Sequence, residues 1–153
     1  MIRYVHTNII TGNWKKCADF YIKVFGCKAL YPERDLSGEW LDKATGIKGA
    51  HFMGIHLLLP GYDGNLPTLE IFQYDKNEEN LSPAANRKGF GHIAFRVDDV
   101  KEVLDKLLAN GGSQLGELVQ NNVKGVGLLT FVYAKDIDGN IIELQHWGND
   151  ETS

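Results

Sequence analysis

The pattern of hydrophobic and polar positions predicts secondary structure in the same order in each half of the chain. In the first half, residues 2–10 alternate like a strand. A helix ending near Phe25 follows, because hydrophobic residues recur at three- and four-residue spacing: Trp14, Cys17, Ala18, Tyr21, Ile22 and Phe25. Further strands are predicted at three places, residues 27–31, 50–59 and 67–74.

The second half predicts the same elements again. Residues 90–97 alternate like a strand, and Asp98 or Asp99 is predicted to cap a helix. The buried face of that helix is expected to consist of Val100, Val103, Leu104, Leu107 and Leu108. Shorter strands are predicted at residues 114–120, 126–134 and 140–147. The predicted fold class is therefore α+β, with a βαβββ module occurring twice.

These elements define the expected domain organisation. A chain of 153 residues suits one compact domain. We expect a single domain over residues 1–149, with a first module at 1–76 and a second at 89–148. The polar stretch between the modules contains Pro83 and is expected to be a linker.

The repeat also aligns two histidines and two glutamates. His6 matches His92 at an offset of 86 residues (92 − 6), and Glu70 matches Glu143 at an offset of 73 (143 − 70). A carboxylate within an apolar strand is costly to bury unless it has a partner or a metal ion. Because the four residues occupy equivalent strand positions, they predict one shared metal site.

The two offsets differ because the first half has 13 extra residues (86 − 73), mainly at residues 32–49. A loop of this length within a compact domain is usually a lid, a binding loop or a short extra helix. Segment 36–46 could form a helical turn, and Glu39 and Trp40 are candidates for a lid over a substrate.

Two histidines and two carboxylates make a mixed nitrogen and oxygen ligand set. Such a set suits Zn, Ni, Co, Mn or Fe(II), and we expect one divalent ion per site. With room left for water or substrate oxygens, the site would be of the open, catalytic type.

Composition excludes several classes of partner. The net charge is −4 and no basic cluster occurs, so nucleic acid is not an expected partner. No apolar run approaches the roughly 18 residues that would span a bilayer, and the start of the chain lacks a signal-peptide pattern. We expect a cytoplasmic protein that does not contact membranes, with Cys17 and Cys27 as reduced thiols.

Four segments resemble the vicinal oxygen chelate superfamily, and within it the glyoxalase I (lactoylglutathione lyase) family. The segments are Tyr4-Val5-His6-Thr7, Leu69-Glu70-Ile71, Gly91-His92-Ile93-Ala94-Phe95-Arg96-Val97 and Asp138-Gly139-Asn140-Ile141-Ile142-Glu143-Leu144. The resemblance implies paired βαβββ modules that form a cup of antiparallel strands with a metal ion at its base. It also implies that the ligands are His6, Glu70, His92 and Glu143, and that members often form homodimers.

Glyoxalase-like chemistry removes a proton from the carbon next to a metal-chelated carbonyl, on a small-molecule substrate with adjacent oxygens. The function implied is thus a metal-dependent lyase or isomerase. Glu143 is the first choice as the base that moves the proton, and Glu70 is its counterpart. The candidate substrate-binding residues are Phe72, Tyr74, Trp40, Arg96 and Lys124.

The chain departs from bacterial glyoxalase I where glutathione would be held. Ile10 stands where those enzymes have an arginine, and Tyr74 stands where they have an asparagine. An arginine that pairs with a carboxylate is not replaced by isoleucine without loss. Glutathione dependence is therefore doubtful, and a less charged substrate is the expectation.

Other members of the superfamily stay open as alternatives. Methylmalonyl-CoA-epimerase-like enzymes usually have glutamine at the position of Glu70, whereas extradiol dioxygenases and fosfomycin-resistance relatives have histidine there. A non-catalytic small-molecule (antibiotic) binding module would use the cup without the metal ligands. His56 could enter the cup, but its expected counterpart is Leu129, so we interpret it as structural, like His51 and His146.

Overall fold

The computed structural model describes residues 1–148 and divides into two compact units, Met1–Asn80 and a second that begins at Leu81. Each unit contains one mixed sheet, with helices beside the strands. The predicted α+β class is confirmed. No helix within residues 1–148 is long and apolar enough to cross a membrane.

The first unit contains four strands and two helices. In chain order they are β1 (His6–Ile10), α1 (Trp14–Phe25), β2 (Lys28–Ser37), α2 (Glu39–Thr45), β3 (His51–Leu58) and β4 (Thr68–Tyr74). The sheet order is β1-β4-β3-β2, so the last strand lies between the first and third. Strand β1 runs parallel to β4, whereas the other neighbours are antiparallel.

The second unit repeats this arrangement with one strand divided. Its elements are β5 (Ile93–Arg96), α3 (Val100–Ala109), β6 (Ser113–Gln114), β7 (Val119–Val123), β8 (Gly127–Lys135) and β9 (Ile141–Gly148). The order is β5-β9-β8-β6, with β7 also paired to β8. Strand β5 is parallel to β9. Both sheets are thus mixed, because the first strand of each unit is parallel to its last.

Local sequence explains both long helices. The Asn13 side chain accepts a hydrogen bond from the backbone N–H of Lys16 at the start of α1. Asp99, rather than Asp98, does the same for α3 by accepting from Glu102 N–H. Helix α1 ends at Gly26, whose φ of 70° is left-handed.

The predicted strand boundaries were wrong where they depend on pairing between strands. The strands predicted at 2–10 and 90–97 begin later, at His6 and Ile93, where pairing with β4 and β9 starts. The strand predicted at 27–31 continues to Ser37, because a register shift after Leu30 lets it pair again with β3. The strand predicted at 114–120 is divided into β6 and β7, which pair with different parts of β8.

The alternating faces of the central strands form the two cores. On β4, Leu69 and Ile71 are fully buried, and on β9, Ile142 and Leu144 are fully buried. These side chains point away from the face that carries Glu70 and Glu143. The free cysteines Cys17 and Cys27 are buried, and burial raises the pKa of the Cys27 thiol to about 11.

Candidate metal centre

In the first unit, the structure brings His6 and Glu70 together. His6 is the first residue of β1, and Glu70 lies in the middle of β4. Strand β1 pairs Asn8 with Glu70, so these two side chains lie on one face of the sheet. His6 is two residues from Asn8 on the same strand and therefore lies on that face as well. His6 Nε2 is 3.3 Å from Glu70 Oε2.

The second unit forms an equivalent pair. His92 directly precedes β5, and Glu143 lies in the middle of β9. Here Ala94 pairs with Glu143, which is the same register as Asn8 with Glu70. His92 Nε2 is 3.0 Å from Glu143 Oε2. The sequence repeat is therefore a repeat of strand pairing as well as of residue type.

These two pairs have the spacing of neighbouring metal ligands. Two ligands bound at about 2.1 Å lie about 3.0 Å apart at a right angle and about 3.4 Å apart at a tetrahedral angle. Both observed separations fall in this interval. Each glutamate side chain is 13% exposed, and within residues 1–148 its ion-pair partners are histidines rather than lysines or arginines. Each pair therefore suits a divalent cation.

The structure pairs each of the two predicted glutamate ligands with one of the two predicted histidine ligands, within its own unit. Within residues 1–148, no three His, Cys, Asp or Glu side chains form a group that could hold a metal ion. The predicted set of four ligands accordingly stays a prediction.

The second oxygen of each glutamate has a different partner in the two units. Glu70 Oε1 lies 3.2 Å from His56 Nε2, so this carboxylate lies between two imidazole rings. Glu143 Oε1 accepts a long hydrogen bond, 3.4 Å, from the Gln145 side-chain amide. The two pairs are alike at one oxygen and unlike at the other.

The expected counterpart of His56 was wrong. Strand pairing places His56 opposite Glu70 and Tyr133 opposite Glu143, so the counterpart is Tyr133 and not Leu129. The offset there is 77 residues (133 − 56), because four of the extra residues lie between β3 and β4. The contact with Glu70 was missed because the offset of 73 holds only for β4 and β9. The signal that could have found it is the antiparallel register of the β3–β4 hairpin.

Burial favours the neutral form of His56. Desolvation lowers its pKa, and the positive charges of Arg34 and His6 act in the same direction, while Glu70 opposes them. Its ring also lies 5.7 Å from the Phe72 ring, centroid to centroid.

The aromatic residues beside Glu70 belong to a packed cluster. Phe72 is 8% exposed and stacks on Phe52 at 4.3 Å between ring centroids, with Tyr74 against the same ring. Leu41 of α2 packs on this cluster together with Ala50 and the partly buried Leu36. Helix α2 lies in the predicted segment 36–46 and covers this part of the face.

The other predicted substrate-binding residues are exposed. Trp40, on α2, is 57% exposed, and its indole N–H donates to the Ser37 carbonyl. Arg96 lies at the end of β5, on the same strand face as Ala94. Lys124 lies in the turn between β7 and β8. Within the second unit, the ion-pair partner of Glu143 is His92 rather than Arg96 or Lys124.

The remaining histidines lie elsewhere. His51 contacts Asp75 through Nδ1 and Asp35 through Nε2, at 2.7 and 2.6 Å. His146 Nδ1 is 2.9 Å from the Val97 carbonyl. Both contacts agree with the structural interpretation of these residues.

Comparison with known proteins defines the class. A sequence model of the Glyoxalase/Bleomycin resistance protein/Dioxygenase superfamily matches residues 3–144. The chain belongs to this superfamily, and the predicted resemblance is confirmed.

Individual relatives share 30% or less of their sequence with this chain in the three comparisons that follow. The probable lactoylglutathione lyase of Vibrio parahaemolyticus is 30% identical over 143 residues, which cover 93% of this chain and 88% of that protein. The crystal structure of a glyoxalase family protein from Bacillus cereus superposes with a TM-score of 0.81 at 19% identity, covering 96% and 95% of the two chains. A mutant of the fosfomycin resistance protein FosX from Listeria monocytogenes, in complex with Mn(II) and a dihydroxypropylphosphonic acid, has a TM-score of 0.56 at 18% identity, covering 94% and 92%.

Proposed function

We propose that this chain is a divalent-metal-dependent lyase or isomerase of the glyoxalase I type, whose two His–Glu pairs lie in identical register in the two units. The observation that carries the proposal is the pairing of His6 with Glu70 and of His92 with Glu143, at separations suited to metal ligands. The relatives named lactoylglutathione lyase support the same reaction class.

His6, Glu70, His92 and Glu143 would hold the ion. When bound, a divalent cation supplies Lewis-acid stabilisation of the negative charge that develops on a substrate oxygen during proton removal. The nitrogen and oxygen donors suit Ni, Zn, Co, Mn or Fe, and the donor set does not select among them.

Glu143 is the base in this proposal. Its Oε1 has one long amide contact, whereas both oxygens of Glu70 lie against imidazole nitrogens. Glu143 can therefore turn one oxygen toward the substrate with the smaller loss of polar contacts. That oxygen takes the proton from the carbon next to the carbonyl and returns it to the neighbouring carbon.

The substrate is a small molecule with adjacent oxygens. Ile10 and Tyr74 replace the polar residues that bacterial glyoxalase I uses for glutathione, so we propose a substrate other than a glutathione adduct. Acyl-CoA and α-ketoaldehyde adducts are the first classes to assay. A cytoplasmic homodimer is the proposed working form.

The deciding experiment measures metal content in protein purified without added metal or chelator. We expect about one divalent ion per site in the parent and its loss in a Glu70→Ala/Glu143→Ala double variant that stays folded by circular dichroism. Glu143→Gln should retain the fold while turnover falls about 100-fold or more.

A parent that stays empty on titration with Ni, Co, Zn, Mn and Fe(II) would contradict the enzyme proposal. In that case a metal-free small-molecule binding module becomes the better account. Loss of folding, rather than of turnover, in Glu143→Gln would contradict the role of Glu143 as base.

A further inference from the structure

Both oxygens of the Glu70 carboxylate contact a histidine. A metal-binding His–Glu pair needs only one such contact. His6 Nε2 approaches Oε2 at 3.3 Å, and His56 Nε2 approaches Oε1 at 3.2 Å. The two imidazoles come from the strands on either side of β4, since β4 pairs with β1 at one edge and with β3 at the other. Orientation of this carboxylate is therefore determined by both neighbouring strands.

The second unit has a His–Glu pair but no histidine at the position equivalent to His56. Tyr133 occupies the equivalent position opposite Glu143, and its ring lies 5.0 Å from the His92 ring, centroid to centroid. In the first unit the corresponding distance, between the His6 and His56 rings, is 6.4 Å. An aromatic ring thus occupies this position in both units. Of the two residues, His56 places a ring nitrogen beside the carboxylate, whereas the Tyr133 ring has no nitrogen.

The surroundings of His56 favour a fixed ring. Its side chain is 19% exposed, less than the 41% of His6, and it packs beside Phe72. A carboxylate ligand commonly has its free oxygen fixed by a hydrogen bond from a second residue, and loss of that residue weakens metal binding. His56 has the position and donor nitrogen for this task.

We propose that His56 is a positioning residue for the metal centre. Its Nε2, 3.2 Å from Glu70 Oε1, restrains that oxygen, so that Oε2 beside His6 Nε2 would be the oxygen that holds the ion. The first unit then presents an ordered ligand pair, whereas the second retains the freer carboxylate that serves as base. This inference rests on the proposed function, because it assigns a role toward the metal ion.

The test compares three replacements of His56 with a matched replacement in the second unit. His56→Gln keeps an amide donor near the place of Nε2, His56→Asn has a donor on a shorter side chain, and His56→Leu has none. Tyr133→Phe is the control, since it retains a ring at the equivalent position. The readouts are Co(II) affinity by titration, the visible spectrum of bound Co(II), and denaturant unfolding of the metal-free protein.

We expect His56→Leu and His56→Asn to weaken Co(II) binding by about 10- to 100-fold. His56→Gln should restore most of the affinity and leave the Co(II) spectrum like that of the parent, because the atoms bound to the ion are unchanged. Tyr133→Phe should leave the affinity near the parent value. If His56→Leu does not fold, the difference in Co(II) affinity between His56→Gln and His56→Asn tests the same inference.

Three results would overturn the inference. Equal Co(II) affinity in all folded His56 variants would show a purely structural histidine. Failure of Gln to restore affinity, with a changed Co(II) spectrum, would show that His56 binds the ion directly. A parent that binds no Co(II) would overturn the proposed function and this inference with it, whereas the first two results leave the proposed function standing.

Discussion

At His51, both ring nitrogens contact carboxylates, Asp75 on one side and Asp35 on the other. Both nitrogens can donate only in the protonated ring. The hydrogen bond to Asp35, followed by that to Asp75, raises the pKa of His51 above its usual value. When it is protonated, His51 therefore connects its own strand β3 to Asp35 of β2 and to Asp75, the residue after β4.

This raised pKa predicts a pH dependence of stability. A group whose pKa is higher in the folded state stabilises fully below its unfolded pKa of about 6.5, and that contribution is lost as pH rises through the folded value. We expect the free energy of unfolding to fall more steeply above pH 6.5 in the parent than in His51→Gln. Urea denaturation at a series of pH values measures this. Parallel curves for the two proteins would contradict it, and Asp35→Asn, which keeps an acceptor without charge, should reduce the slope.

Gly54 determines how closely β3 and β4 approach under the aromatic cluster. A Cβ atom at this position would lie 2.0 Å from the Ile71 carbonyl oxygen and 2.7 Å from Phe72 Cδ1. The obstacle includes backbone, which cannot rotate away as a flexible side chain can. The absence of a side chain at Gly54 therefore leaves room for the Phe72 ring beside His56.

We predict that Gly54→Ala lowers the free energy of unfolding by about 3 kcal/mol. Gly12→Ala is the matched control, because a Cβ atom there meets no atom within 4 Å, and its effect should stay within about 0.5 kcal/mol. Chemical denaturation of both variants gives the comparison. Equal, small effects would show that the two strands separate at little cost.

At the scale of elements, α2 is a short helix held by two kinds of contact. Leu41 is its buried residue and packs on Phe52 and Phe72. The Asp42 carboxylate accepts hydrogen bonds from the backbone N–H groups of Gly49 and Ala50, both at 2.8 Å. Seven residues do not form a stable helix alone, so these contacts determine whether α2 is ordered.

Leu41→Ala should therefore lower the free energy of unfolding by about 2 to 4 kcal/mol, through lost apolar contact and a cavity above Phe72. Lys43→Ala on the same helix serves as control, since it removes an exposed ion pair with Glu39 that is worth about 0.5 kcal/mol or less. Guanidinium denaturation distinguishes the two. A small effect of Leu41→Ala would mean that the Asp42 hydrogen bonds alone hold the helix.

The elements also show what sequence could predict. Helix α1 was predicted well because its signals are local: Asn13 as cap, Gly26 as end and a regular apolar face between them. The extension of β2 beyond Tyr31 was not predicted, since it depends on pairing with β3 across a register shift. The ends of the two long helices also differ, because the left-handed glycine directly follows α1 (Gly26) but lies two residues after α3 (Gly111).

At the scale of the whole molecule, the two His–Glu pairs were predictable from the sequence, but the further contact of Glu70 with His56 was not. A histidine and a glutamate at equal positions in both halves are visible in sequence, and the structure pairs them within each unit. The offset between the halves changes from 86 to 77 to 73 along the chain as residues are inserted. Any single offset therefore misplaces some elements, and the offset of 73 does not predict that His56 lies opposite Glu70.

The central place of β4 and β9 has a consequence for the order in which a growing chain can fold. Strand β1 pairs in its sheet with β4, from which 57 residues separate it (68 − 10 − 1). A ribosome must therefore release almost all of the first unit before β1 gains a neighbour, and closing so long a segment slows the step. The last strand of each unit completes the sheet and supplies the glutamate in the same event. In a nascent chain, the histidine of each unit accordingly meets its glutamate only when the sheet of that unit is completed.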